Sequence, residues 1–181
     1  MITREQCEWA KDRALEYLDA AGIAVTADEE KRIEVADFGL SDLENTGLEL
    51  LVYVNTDRCC AKELVLFPGQ TCPEHKHPPV GGEAGKEETF RCRSGEVYLY
   101  IPGKKTTKPK AKAPQGHEKY YTVWNEVVLK PGEQYTLSPN TLHWFQAGPE
   151  GAVVSEFSTK SRDEADMFTD PDIQRSTKVE G

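Results

Sequence analysis

The sequence predicts a mainly β protein, an antiparallel sandwich or barrel preceded by one helix. Short apolar runs separated by Pro, Gly and Asn follow one another from residue 47 onward, the pattern of many short strands joined by turns. Helical spacing is strong only over the first twenty or so residues. A length of 181 residues suits one core, since domains run to roughly 100–200 residues. We therefore read 1–181 as a single domain, with 1–45 an N-terminal helical segment, 47–160 the barrel and 161–181 a C-terminal tail.

Thr3 and Gln6 have capping-box spacing, and Cys7, Ala10, Ala14, Tyr17 and Leu18 recur at helical intervals until Gly22, so one amphipathic helix opens the chain. Thr26 and Glu29 repeat the box and predict another helical turn before Ile33 and Val35. The expected strands are 48–54, 63–67, 96–101, 121–124 and 152–157. Lys104, Lys105, Lys108, Lys110 and Lys112, spaced by Thr, Pro and Ala, read as a mobile solvated loop. The polar stretch after Phe168 is expected either to be loosely ordered or to cover a neighbour.

Net charge is −9, and the basic residues form no stripe interleaved with aromatics. Without that footprint nucleic acid is a poor partner and a small molecule a better one. No apolar stretch approaches the roughly 20 residues of a membrane span, and the N-terminus lacks the apolar core of a signal peptide. Five cysteines with no Cys-x-x-Cys spacing read as reduced thiols. The expectation is a soluble, cytoplasmic protein with no membrane partner.

His75-Lys76-His77 places two imidazoles on one face of a strand, with Lys76 on the other. In 87–93, Glu88 shares a face with Phe90 and Cys92, whereas Glu87 goes with Thr89, Arg91 and Arg93. A carboxylate on an apolar face needs a partner, because an uncompensated buried charge costs several kcal/mol. A metal ion would serve; so would a cation such as Lys62.

Gly69, His75, His77, Glu88 and Gly95 resemble the first cupin motif, and Gly132 and His143 resemble the second. The resemblance implies a cupin barrel that binds one divalent ion through His75, His77, Glu88 and His143. Two departures stand out. The His77–Glu88 spacer, 78–87, is longer than usual, which requires a glycine-rich loop beside the site, and Ala147 replaces the second motif's terminal asparagine. Pro139 also falls one place late. Within the cupins, segments 61–70, 142–147 and 155–159, followed by Arg162-Asp163-Glu164, are similar to the D-lyxose isomerases. That resemblance implies a manganese-dependent, homodimeric aldose–ketose isomerase acting on D-lyxose and D-mannose. Other readings are a cupin sugar-phosphate isomerase, a metal-dependent dioxygenase and a non-catalytic sugar-binding cupin.

Three histidines and a carboxylate leave two positions of an octahedron for a chelating sugar, a donor set that suits Mn²⁺. The isomerase reading also needs a base beside the ion. If 147–151 forms a hairpin, Glu156 faces His143 and becomes that base. A turn at Pro68-Gly69 would pair Lys62 with His75, nominating Lys62 for proton transfer or a salt bridge. Trp144, Phe145 and Tyr98 are candidate sugar-facing rings, although aromatics beside a barrel strand are more often core. Asp166 is a candidate for sugar hydroxyls, and His117, in a polar segment, is expected to be exposed.

Overall fold

The computed structural model describes residues 1–180. Helix α1 (Arg4–Ala20) begins at Thr3, where Thr3 and Gln6 cap each other reciprocally. The short α2 (Ala27–Glu30) repeats that box with Thr26 and Glu29. Among the described residues nine strands follow: β1 (Glu34–Ala36), β2 (Leu48–Asn55), β3 (Cys60–Leu66), β4 (Thr71–Lys76), β5 (Glu88–Ile101), β6 (Asn125–Leu129), β7 (Gln134–Leu137), β8 (His143–Ser158) and β9 (Met167–Phe168). Their hydrogen-bonded order is β1-β2-β3-β8-β4-β9, with β5 pairing β6, β7 and β8.

The sheet curls because its two longest strands bend together. β5 and β8 pair antiparallel from Glu88↔Ser158 to Tyr100↔Trp144, with register shifts on either side of Gly95. Gly95 and Gly151 both have positive φ, and a Cβ on Gly95 would lie 1.9 Å from the Gly151 carbonyl oxygen, so glycine is required where the strands cross. Residues 147–151 are thus a bend inside one strand. They form no hairpin, and Glu156 pairs with Phe90 and Lys62 instead of His143.

The second pairing expectation also fails. After the Pro68-Gly69 turn the chain crosses to the other half of β8, so β3 runs along 152–158 and β4 along 143–146. The resulting partners are Lys62↔Glu156 and His75↔His143. Gln70 fixes that crossing: its Oε1 accepts from Phe67 N at 2.9 Å and its Nε2 donates to Leu43 O at 2.7 Å. Segment 121–124 is an extended connection without strand pairing. Buried Glu74 holds it by accepting from Thr122 N and Val123 N at 2.6 and 3.0 Å.

Alternation along the strands sorts side chains into three groups. Leu50, Leu64, Phe90, Phe145 and Val154 fill the barrel interior. Ala10, Ala14 and Leu18 of α1 cover Leu51, Val65 and Val153 on the outer face. Tyr98, Tyr100, Tyr121 and Trp144 make a second outer cluster. Beneath α1 lies Glu49, fully buried, with Oε1 3.4 Å from Gln70 Nε2 and Oε2 without a hydrogen-bond partner.

The lysine-rich segment is pinned to the second outer cluster, contrary to the mobile reading. Ala111 N donates to Tyr100 Oη at 2.9 Å, Lys110 N to Glu126 at 2.6 Å, and the Lys110 ammonium lies 5.1 Å over the Tyr98 ring. The C-terminal stretch covers the barrel rather than trailing from it. Gln174 N donates to Phe38 O, and Val179 pairs with Ile2.

Candidate metal centre and active site

His75 and His77 end on and just beyond β4, Glu88 opens β5 and His143 opens β8, so three elements deliver the side chains to one end of the barrel interior. All four are buried. One ring nitrogen from each histidine lies within 4.8 Å of the others. Glu88 Oε1 sits 3.1 Å from His77 Nε2 and 3.0 Å from His143 Nε2. Glu87, one residue away, is exposed.

The donor set fits a metal ion on two grounds. Each Nδ1 is already occupied: His75 by Pro73 O at 2.7 Å, His77 by Asp166 Oδ1 at 2.5 Å and His143 by Thr141 O at 3.0 Å. Those acceptors fix the Nδ1–H form and leave Nε2 as the ligand atom, the usual arrangement of a metal-binding histidine. In addition, His143 Nε2 is buried without a hydrogen bond of good geometry, despite its closeness to Glu88. Burial, together with His143 and His77, holds His75 well below the usual histidine range and keeps it neutral. Burial opposes charge on His77 too, but Glu88 and Asp166 outweigh it and raise the group to about 9.

A residue that the sequence reading missed completes the site. Lys86 is buried and bridges two carboxylates, with Nζ 2.6 Å from Glu88 Oε2 and 2.9 Å from Glu156 Oε1. Burial alone would lower its pKa; Glu156 and Glu88 instead hold it well above the ordinary lysine value. The signal was in the alternation, since Lys86 has the parity of Glu88, Phe90 and Cys92. Gly85 makes the approach possible, because a Cβ there would lie 1.9 Å from His77 O.

Glu156 and Lys62 line the same cavity as the histidines. The Lys62 ammonium is 3.0 Å from both Asp163 oxygens and donates to Ser161 Oγ at 3.0 Å, so its salt bridge goes to Asp163 and not to Glu88. Phe145 and Asp166 also line the cavity, and Asp166 spends one oxygen on His77. Trp144 and Tyr98 do not line it. They point outward, where Trp144 stacks on Tyr100 at 4.1 Å, because neighbours on a strand face opposite ways. His117 is part-exposed and pairs with Asp170 at 2.5 Å, outside the histidine cluster.

A curled antiparallel barrel with a buried three-histidine cluster able to bind a metal ion defines a cupin. Residues 8–181 match the family model described as D-lyxose isomerase, and the chain belongs to that family. It is 64% identical over 180 residues to a D-lyxose/D-mannose isomerase of Thermosediminibacter oceani, covering 99% of each chain. It is also 60% identical over 175 residues to a D-lyxose ketol-isomerase of Cohnella laeviribosi, covering 96% of each. Among solved structures, an Acinetobacter L-ribose isomerase in complex with L-ribose shares the fold with a TM-score of 0.82 at 18% identity, covering 99% of this chain and 98% of that one. The protein is an isomerase, as its family is.

Proposed function

We propose that the protein is a metal-dependent aldose–ketose isomerase that interconverts D-lyxose with D-xylulose, and D-mannose with D-fructose, through an enediol. The observation that carries this reading is Glu156, a buried carboxylate beside the histidine cluster whose ion-pair partner is Lys86, itself bound to Glu88. Isomerisation requires a group that removes a proton from one carbon and returns it to the next, and a buried carboxylate lining the cavity supports Glu156 in that role.

His75, His77, Glu88 and His143 would hold the ion, and their nitrogen-and-oxygen set suits Mn²⁺. When bound, the ion supplies the electrophile that stabilises negative charge on the C1 and C2 oxygens. Glu156 takes the C2 proton of the aldose and delivers it to C1, while the hydroxyl proton of O2 passes to O1, so that the C1 aldehyde becomes a hydroxyl and C2 a carbonyl. Lys86 steadies the Glu156 carboxylate by an ion pair and pairs at the same time with Glu88. Lys62, pinned by Asp163 and Ser161, offers an ammonium to the sugar oxygens. Phe90, Phe145 and Leu64 form an apolar wall that keeps water from the enediol.

The five free thiols support a cytoplasmic location, and Phe157 and Val54, exposed on the strands that flank β3 at Ala61, offer an apolar surface for a homodimer. A Glu156→Gln variant tests the base. It keeps size and packing, so Mn²⁺ content should hold while kcat falls by roughly 10²–10⁴, the span of general-base catalysis. Deuterium exchange into C1 of D-fructose in D₂O should fall with it; exchange at the wild-type rate would move the role to Lys62.

A further inference from the structure

The cavity beside the histidines has a volume of about 40 Å³, room for roughly three water molecules. An open-chain pentose has ten heavy atoms, so something lining the cavity has to give way. β9 is held to β4 by strand pairing, whereas the segment that follows it, 169–177, has no strand pairing and is held by separate bonds. Thr169 bonds to Glu74, Gln174 N donates to Phe38 O at 2.9 Å, and Thr177 Oγ1 accepts from Asp37 N at 2.9 Å. Gly39, with φ of 74°, lets this strap approach closely, since a Cβ there would meet Gln174 Cβ at 2.9 Å.

The strap carries one cation into the cavity. Arg175 is four-fifths buried by side chain, with Nη1 2.5 Å from Glu34 Oε1 and Nη2 3.1 Å from Asp163 Oδ2. Lys86 and Lys62 are tied to the machinery already described, through Glu88 and Glu156 on one side and Asp163 on the other. Arg175 makes no ion pair with Glu88 or Glu156; its partners are Glu34 and Asp163. Its Glu34 partner is 45% exposed, which makes that arm of the fork the cheaper one to exchange. A planar guanidinium offering several donors suits two neighbouring hydroxyls.

We infer that Arg175 is a specificity-determining residue, which leaves Glu34 as the strap shifts and donates to the hydroxyls at the non-reacting end of the sugar, C4 and beyond. D-lyxose and D-mannose have the same configuration from C2 to C4 and differ only past it, so this is the end at which the two are told apart. The inference rests on the isomerase reading above.

The test compares wild type with Arg175→Met and Arg175→Lys, each loaded with Mn²⁺ and with bound metal measured. Two substrates are used: D-lyxose, and dihydroxyacetone, whose C1 exchange in D₂O reports proton transfer on a sugar with no hydroxyl past C3. For Arg175→Met, kcat/KM on D-lyxose should fall about 10–100-fold, mostly through KM, the loss expected for hydrogen bonds from a charged donor. Exchange into dihydroxyacetone should change less than about threefold, and Arg175→Lys should recover part of the D-lyxose loss. Parallel losses on both substrates would place Arg175 at the reacting end or in the fold, and no loss on D-lyxose would make it a latch only; either overturns the inference. A metal-loaded wild type that leaves D-lyxose unchanged would instead refute the isomerase reading, and this inference with it.

Discussion

Glu49 gives a sharp handle on stability that is independent of catalysis. Its carboxyl is fully buried, with one weak contact to Gln70 and one oxygen without a partner, and burial raises its pKa from 4.5 to about 8. The folded protein therefore keeps a proton that the unfolded chain has already lost. Between pH 4.5 and about 8 the unfolded state binds fewer protons, so wild-type stability declines with rising pH, by up to about 1.4 kcal/mol per unit. Over that interval the ceiling is about 5 kcal/mol, and local relaxation should leave about 2–3 kcal/mol. Glu49→Gln is neutral at every pH and preserves the shape. Urea unfolding of both proteins at fixed metal concentration should give similar stabilities at pH 5, a widening advantage for the variant up to pH 8, and a constant difference above it. Taking the difference cancels the pH dependence of metal binding, which the two share. A flat difference from pH 5 to pH 9 would refute the reasoning. It would mean that Arg13, whose Nε is also buried without a partner, closes on the carboxylate and keeps it charged.

Two further outcomes concern the metal centre. Glu87→Gln should leave Mn²⁺ content unchanged because Glu87 is exposed, whereas Glu88→Gln should lose tenfold or more in bound metal, read by elemental analysis after dialysis. Asp166→Ala should weaken Mn²⁺ affinity about 10–100-fold without unfolding the protein, because it frees the Nδ1 side of His77; unchanged affinity in a metal titration would show that the neighbouring rings alone hold His77.

Local rules made much of the structure legible. The two capping boxes, the strand runs from 48 to 54 and 96 to 101, and the burial of Glu88 beside an exposed Glu87 all follow from spacing and alternation, which need no knowledge of partners. Pairing was not legible. Gly148-Pro149-Glu150-Gly151 has the composition of a hairpin turn, yet it lies in a continuous strand, because Gly95 on β5 packs against Gly151 and the two strands bend as one. That requirement joins residues more than fifty positions apart, and nothing in either segment announces it. The tail was illegible for the same reason. Arg175 and Asp166 enter the cavity only because Gly39 and Glu74, far away in sequence, hold the strap in place.

The expected neighbours of Glu156 were wrong, yet Glu156 still lines the cavity with the histidines. Register decides which residue sits opposite, whereas parity decides which face a side chain takes; the bend in β8 shifts both, from Phe145 and Ala147 inward before it to Ala152 and Val154 inward after it, but parity holds within each half of the strand. Glu156 has the parity of Val154, an interior residue, and so faces inward whatever it pairs with. Trp144 falls between His143 and Phe145 and so faces outward, however attractive its ring is for a sugar. The same rule, applied two residues back from Glu88, would have picked out Lys86 as an inward lysine between two acids. In a barrel of this kind parity is the stronger guide to the chemistry, and pairing becomes useful only after the bends are known.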